Sequence, residues 1–583
     1  MRSPQAVSLL AAVLNLTHHV AAEIFDVPSV DNFVRRFSCT SIVLGNYVYI
    51  DGGEITQYEN GSNTASASNI VNSTLSLDLT TSWTTTEAVL KSSPKAPGPV
   101  KGNVVLWADH ARNTLYSWGG KWQFGANMKK TELWKFLADG SGGGKWSTEQ
   151  PSNPSRFNEL VPAEFIAFAT VNNTGYAIGG QASGWTQLYR GSNQAIPGML
   201  SYNFDTREWT NSTDLSPFHT IAQASAQYVP TFGPGGVVMV MGGSMPDVDR
   251  APSIANSPAQ DFQNLTFFDP AASKTYWQVA TGEIPPSPRS EFCSAGWQNT
   301  DGGYEIFIFG GDNKAVSGYP KYRDAYVLSL PGFVWTKLPE PPAGGRAYHS
   351  CVSAGKRQVL SIGGLGDSGS KEKDKAPQGL LVFDMTAMKW VDFYNASLDA
   401  YEAPGVIKDW YAKGSLDKVQ WSSETVKKMF VEQKQDLPGN GDGDDGTSTE
   451  PNKSGTTSTP VAAIAGGVVG GVVALAAIGM VAWFLVRRRR RGANGIANNT
   501  DAKDPMHQVL PPMLPGTVTQ YPAEVGDSLQ YSELSGDGRA RPNPEKPSGA
   551  NGLAELSHNG VQSAQHLKAQ SFTAELHGDD VRR

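Results

Sequence analysis

Six Gly-Gly pairs, each closing a β-rich run, recur along the first two-thirds of the chain, and a Trp follows each at a regular remove. The pairs are Gly52-Gly53, Gly119-Gly120, Gly179-Gly180, Gly242-Gly243, Gly310-Gly311 and Gly363-Gly364. The Trp residues are Trp83, Trp146, Trp209, Trp277, Trp335 and Trp390, spaced 63, 63, 68, 58 and 55 positions apart. A sustained period of this kind marks a repeat architecture, in which one unit buries its apolar face only against its neighbours.

Each unit reads as about four short strands. One run precedes the diglycine, as in Tyr47-Val48-Tyr49-Ile50 or Ile306-Phe307-Ile308-Phe309, and another run precedes that one. After a polar loop comes a third run, such as Leu380-Leu381-Val382-Phe383, which several times ends in Asp (Asp78, Asp205, Asp269, Asp384). A short turn then leads to the Trp strand. These runs are rich in β-branched and aromatic residues, the types that fit a pleated, half-buried surface. Glycine lets the backbone turn where a Cβ would obstruct it, and Trp offers a large apolar body to pack between sheets. Four-stranded sheets repeated radially make a β-propeller.

Over residues 30–395 the pattern resembles the kelch repeat family, because all six units carry both the diglycine and the Trp. The resemblance implies an all-β, six-bladed kelch-type β-propeller over residues 23–395, with each Trp buried between blades. The period exceeds the usual kelch period of about 50, and the surplus lies mostly in the loops after the diglycines. Residues 396–435 form a closing segment with one short helix near Val426, Met429 and Phe430. A degenerate seventh blade around Trp410 and Trp421 is the competing reading of this stretch, although no diglycine supports it.

The chain ends point to a membrane. Residues 1–22 read as a secretory signal peptide: a positive start, an apolar run over 6–16, and small residues before Glu23. Residues 461–486 carry no charge, and as a helix they would extend about 39 Å, enough for a bilayer core of about 30 Å. Five arginines at 487–491 follow at once, so the propeller is expected outside and the tail in the cytoplasm, a single-pass type I topology in the plasma membrane or an endomembrane. That Arg run abuts a span in a chain of net charge -7, so no nucleic-acid partner is expected. Residues 436–460 form a disordered stalk of Gly, Asp, Ser, Thr and Pro, and 487–583 a disordered tail. In the tail, Pro512-Met513-Leu514-Pro515 fits a minimal SH3-type ligand and Tyr531-Ser532-Glu533-Leu534 resembles a sorting signal. Gly466/Gly470 and Gly467/Gly471 have the spacing of a weak homodimer contact through the span. Sequons at Asn60, Asn72, Asn172, Asn211, Asn264, Asn395 and Asn452 predict a glycosylated ectodomain.

Three cysteines remain: Cys39, Cys293 and Cys351. They precede their diglycines by comparable distances, in units one, five and six. Units one and six are neighbours in a closed ring, so a Cys39–Cys351 disulfide is one reading and three buried residues without a bridge is the other. The chain has no zinc spacing, HExxH motif, nucleophile elbow or phosphate loop, and no cofactor is expected. Arg346-Ala347-Tyr348-His349-Ser350 resembles the Tyr-His step of galactose oxidase, a copper-radical enzyme on a kelch-type propeller. The further Tyr and His ligands of that family have no match here, so the motif is read as structural.

The loops after the diglycines carry Trp122, Trp185, Tyr189, Arg190, Tyr319 and Tyr322. Exposed aromatics beside basic residues suit an interface or carbohydrate site, and the competing reading packs them against their own loops. The expected function is a membrane-anchored interaction, adhesion or sensor protein that binds a protein or glycan ligand outside the cytoplasm. A secretory-pathway copper-radical oxidase is the alternative.

Overall fold

A computed structural model describes residues 25–432 except 60, 66–68, 123–127, 129, 188–192, 213–219, 247–256, 315 and 317. The chain divides into two units, Met1–Thr447 and Ser448–Arg583, and the described residues all belong to the first. The expected signal peptide, stalk, span and tail lie outside the described residues, as do Asn60, Asn452, Tyr189 and Arg190. Among the described residues no helix is long and apolar enough to cross a membrane.

The described chain is all-β, with a few short helices. Six sheets follow one another, each built on an antiparallel meander of four strands, and the fifth carries one extra short strand paired in parallel. Their first strands are β1 (Thr40–Leu44), β2 (Val105–Asp109), β3 (Ala167–Val171), β4 (Ser225–Val229), β5 (Cys293–Gln298) and β6 (Ser350–Ala354). These six pack side by side in cyclic order, and β6 returns to β1. The second strand of sheet four, Val237–Met241, is apolar and buried throughout, and that of sheet five, Tyr304–Phe309, is buried throughout with Glu305 as its one charged residue. A strand buried on both faces is expected to read this way.

The diglycines link the sheets. The N–H of each second glycine donates to a carbonyl of the next sheet or of the segment leading into it: Gly53 to Lys101 (3.1 Å), Gly120 to Ala163 (2.8 Å), Gly180 to Ile221 (2.6 Å), Gly243 to Arg289 (2.9 Å), Gly311 to Arg346 (2.8 Å) and Gly364 to Arg36 (2.6 Å). The last of these closes the ring. All twelve glycines have positive φ, which is why other residues are costly here. Buried cations brace the same turns: Lys101, Arg289 and Arg346 donate to the carbonyls of Gly119, Gly310 and Gly363. Arg346 also pairs with Asp374, which pairs with Arg35 from the chain's beginning. Both seam pairs are buried, and charges in such a place need a partner.

Three expectations about the Trp residues need correcting. Trp146, Trp209 and Trp335 are buried as expected, but Trp277 is 51% exposed. In sheet six Trp390 lies opposite Phe383, and in sheet three Trp209 lies opposite Tyr202. In sheet four the equivalent residue is Phe268, paired with Val238 as Phe383 is with Val359, and the position opposite it is taken by Thr275; Trp277 sits two residues further along, opposite Thr266. Side chains alternate faces along a strand, so Trp277 shares a face with Thr275, while Tyr276 takes the other face and stacks on Phe267 at 5.8 Å. Trp390 is only half-buried, its ring edge-on to Phe309 and its Nε1 donating to the Pro339 carbonyl. Trp83, also half-buried, is not in the outer strand of sheet one, a place taken by Lys91–Pro94. It pairs instead with Tyr394, across the seam between the first and last sheets.

Among the described residues no strand follows Tyr394, so Trp410 and Trp421 build no seventh sheet. The closing segment forms α-helices at Gly405–Ala412 and Glu424–Lys427. Ser423 Oγ caps the second by accepting from Val426 N–H. Phe430, just beyond, is fully buried against Phe232, Phe267 and Phe333. The segment therefore runs back over sheets four and five.

Candidate functional site at the ring axis

One residue lies two places ahead of each inner strand: Ser38, Asn103, Phe165, Gln223, Glu291 and Tyr348. All six are in the left-handed region, with φ between 50° and 62°, which costs a non-glycine residue on the order of 1–2 kcal/mol. Backbone hydrogen bonds hold them there: Asn103 N–H to Ser38, Ser38 to Tyr348, Tyr348 to Glu291, Glu291 to Gln223 and Gln223 to Phe165, at 2.9–3.1 Å. The result is a rim of strained backbone around the axis. Strain of this kind persists only where the surroundings impose it, and it clusters at sites of function. Within the rim lies a cavity of about 490 Å³ lined by all six inner strands.

The rim side chains are polar and aromatic. Gln223 is buried, and neither atom of its amide has a well-formed hydrogen bond; nor does Glu291 Oε1 or Asn103 Nδ2. Buried polar atoms rarely go unpartnered. Lys314, from the loop after Gly310-Gly311, puts its Nζ 5.7 Å from the Phe165 ring and 5.2 Å from the Tyr348 ring. Those rings come from sheets three and six, opposite each other in the ring, so the ammonium stands near the axis. Lys321 Nζ pairs with Asp312 (2.8 Å) and lies 5.8 Å from the Tyr348 ring. Glu164 is buried beside them and accepts from Ser183 Oγ at 3.0 Å.

Burial pushes the Glu291 carboxyl up to about 7, opposed by the Lys314 ammonium. Glu305, buried within sheet five, is likewise pushed to about 7 by burial, against donors from Ser329 and Asn299. Burial also raises Glu164. A carboxyl whose folded pKa lies above its unfolded value of about 4.3 binds more protons in the folded chain across that window. Its stabilisation is therefore present on the acid side and is lost as pH rises toward and through 7. Resistance to denaturant should fall between pH 5 and 8, and Glu305→Gln should flatten the slope; a wild-type stability that rises over that range would contradict both shifts.

The residues expected on the loop face are only partly brought together. Trp122 N–H donates to the Trp185 carbonyl (2.8 Å), and the Trp122 ring lies 4.6 Å from Lys101 Nζ. Trp185 and Tyr319 are 41% and 50% exposed. Tyr322 lies beneath Arg289 at 4.4 Å and so is braced within its own sheet. Asn72, Asn172, Asn211 and Asn264 are exposed, while Asn395 is half-buried. The rim residues were not expected as a site. Their one sequence signal is the fixed offset ahead of each inner strand, where residue type varies from Ser to Tyr.

The Cys39–Cys351 expectation is also corrected: Cys293 bonds Cys351, with Cα atoms 5.2 Å apart, and Cys39 is a buried free thiol. The reason is the register of the ring. The second residue of an inner strand meets the first residue of the strand before it, as Ser294 meets Ser225 and Ser41 meets Ser350. Cys351 and Cys293 occupy those same positions, whereas Cys39 precedes its strand.

No protein-family model and no curated protein matches the chain. Among solved structures, 338 chains match. One of them, the structure of YjhT, is 15% identical over 63% of this chain and 99% of its own, with a TM-score of 0.43.

Proposed function

We propose that the chain is a six-bladed kelch-type propeller, held at a membrane by residues 461–486, which binds a glycan at the axial rim on the extracytoplasmic side. The observation that carries this reading is the set of polar groups of Gln223, Glu291 and Asn103 on the rim, which make no well-formed hydrogen bonds beyond a weak Gln223–Glu291 contact, at an axis where Lys314 approaches the Phe165 and Tyr348 rings. Planar amide and carboxylate groups suit hydroxyl pairs, and aromatic rings suit the C–H face of a sugar. Concave, largely pre-formed sites with a few convergent polar groups are where small ligands bind. The exposed Trp185 and Tyr319 would extend the contact outward.

The test is a saccharide array probed with the full chain in detergent. Retention of a saccharide class, lost in Gln223→Ala and restored in part by Gln223→Asn, is the expected result. Capture of a cell-surface protein with no saccharide retained would instead favour a protein ligand. The oxidase alternative makes a separate demand: bound copper with a radical absorption band in the purified chain.

A further inference from the structure

His349 sits between the rim and the disulfide. It is nine-tenths buried, and neither ring nitrogen has a well-formed hydrogen bond, although the Phe309 carbonyl is close enough to favour a proton on the ring. One ring nitrogen and the sulfurs of Cys293 and Cys351 all lie within 4.8 Å of one another. The three residues come from or adjoin β5 and β6, and all line the axial cavity. Their rigid strands fix the Cα positions whether or not the sulfurs are bonded.

We propose that reducing the Cys293–Cys351 bond converts this cluster into a binding site for a zinc-like divalent cation, with His349 as the third ligand. A dithiol reductant supplies two electrons and two protons to the S–S bond, giving two thiols and leaving the reductant as its own disulfide. The cation then displaces both thiol protons and binds two thiolates and one imidazole nitrogen. Zinc bonds of about 2.3 Å to sulfur and 2.0–2.1 Å to nitrogen require ligand atoms roughly 3.5–3.8 Å apart in a tetrahedron, a spacing the cluster reaches once the sulfurs separate. Three protein ligands leave a fourth position, open to the cavity, for water or a small ligand. A closed structural site would have four protein ligands. While the disulfide holds, both sulfurs are committed to each other and the site is shut to metal. The histidine is thereby held beside a bond that it does not stabilise, with the Phe309 carbonyl as its polar neighbour in reach.

Cobalt(II) serves as the probe, because thiolate-to-cobalt charge transfer and tetrahedral ligand-field bands report the ligand set directly. The full chain in detergent is titrated with cobalt before and after reduction by a non-chelating phosphine, then back-titrated with zinc. The expected result is one equivalent of cobalt with thiolate bands in the reduced chain alone, displaced by zinc. His349→Ala should weaken binding at least about tenfold, and Cys39→Ala should leave it unchanged. X-ray absorption of the wild-type cobalt form should count two sulfurs and one imidazole nitrogen, a reading that does not depend on any variant folding. No thiolate band after reduction, an equal signal in the oxidised chain, or a coordination shell containing Cys39 in place of His349 would each overturn the proposal.

Discussion

Gly179→Ala should unfold most of the molecule's stability margin, while Gly140→Ala should not. Both glycines have positive φ, +64° and +76°, so both variants share a conformational cost of roughly 1–2 kcal/mol. They differ in what the new methyl meets. At Gly140 there is nothing within 4 Å; at Gly179 the Cβ would lie 2.0 Å from the Ile221 carbonyl oxygen. That oxygen accepts the Gly180 N–H, the link from sheet three to sheet four. Relieving the clash means moving backbone and losing the bond. The excess cost over Gly140→Ala should be on the order of 3 kcal/mol or more, within the range of severe single substitutions. Parallel urea unfolding of the two variants measures it. Equal midpoints would mean that the diglycine turns tolerate side chains and do not fix the spacing of the sheets.

Trp209→Ala should cost about 3–5 kcal/mol, the usual range for deleting a core aromatic, and Trp277→Ala about 1 kcal/mol or less, as for a surface site. The two look alike in the repeat, but their surroundings differ. Trp209 packs among Trp107, Trp118, Phe157 and Tyr202 at 5.1–5.8 Å between ring centres. Trp277 is half in water. Tyr276→Ala, which removes a half-buried ring stacked on Phe267, should therefore cost more than Trp277→Ala. Thermal melting of the three variants gives the order directly, and a larger loss for Trp277 than for Tyr276 would contradict the register of sheet four.

The Trp277 case shows where sequence reading stops. Trp in the fourth strand is visible from spacing alone in five of the units, but two residues of register decide what it packs against. In sheet four Trp277 pairs with Thr266, and the closing segment adds a bond from Ser422 Oγ to the Trp277 carbonyl. The all-β class, the six-fold repetition and the strand before each diglycine were legible because composition and period agree over hundreds of residues. The cysteine pairing was not, because neighbouring inner strands meet with a one-residue stagger that no spacing within the chain reveals. The rim was the least legible. Its members share a backbone conformation and a position, not a residue type: nothing in the sequence sets Gln223 or Glu291 apart from other polar residues near a strand. Lys314 is harder still, since its place near the axis depends on a loop from sheet five reaching between sheets three and six. The Arg346–Ser350 stretch, read as structural from the sequence, stands out there more than the rim does, and its Arg346 serves the seam.

The relay of glycine N–H groups from sheet to sheet also governs how this kind of protein can change in size. An open stack of repeats gains or loses a unit at either end, and the rest keeps its geometry. Here the last link, Gly364 to Arg36, returns to the start, so the angles between neighbours must sum to a full turn. Duplicating or deleting one unit would ask every remaining junction to widen or narrow together, against carbonyls that already touch the glycines. Unit number is thus locked by arithmetic on a circle, whereas loop length is free. Variation among chains built this way should collect in the loops that overlook the axis and leave the count of units alone.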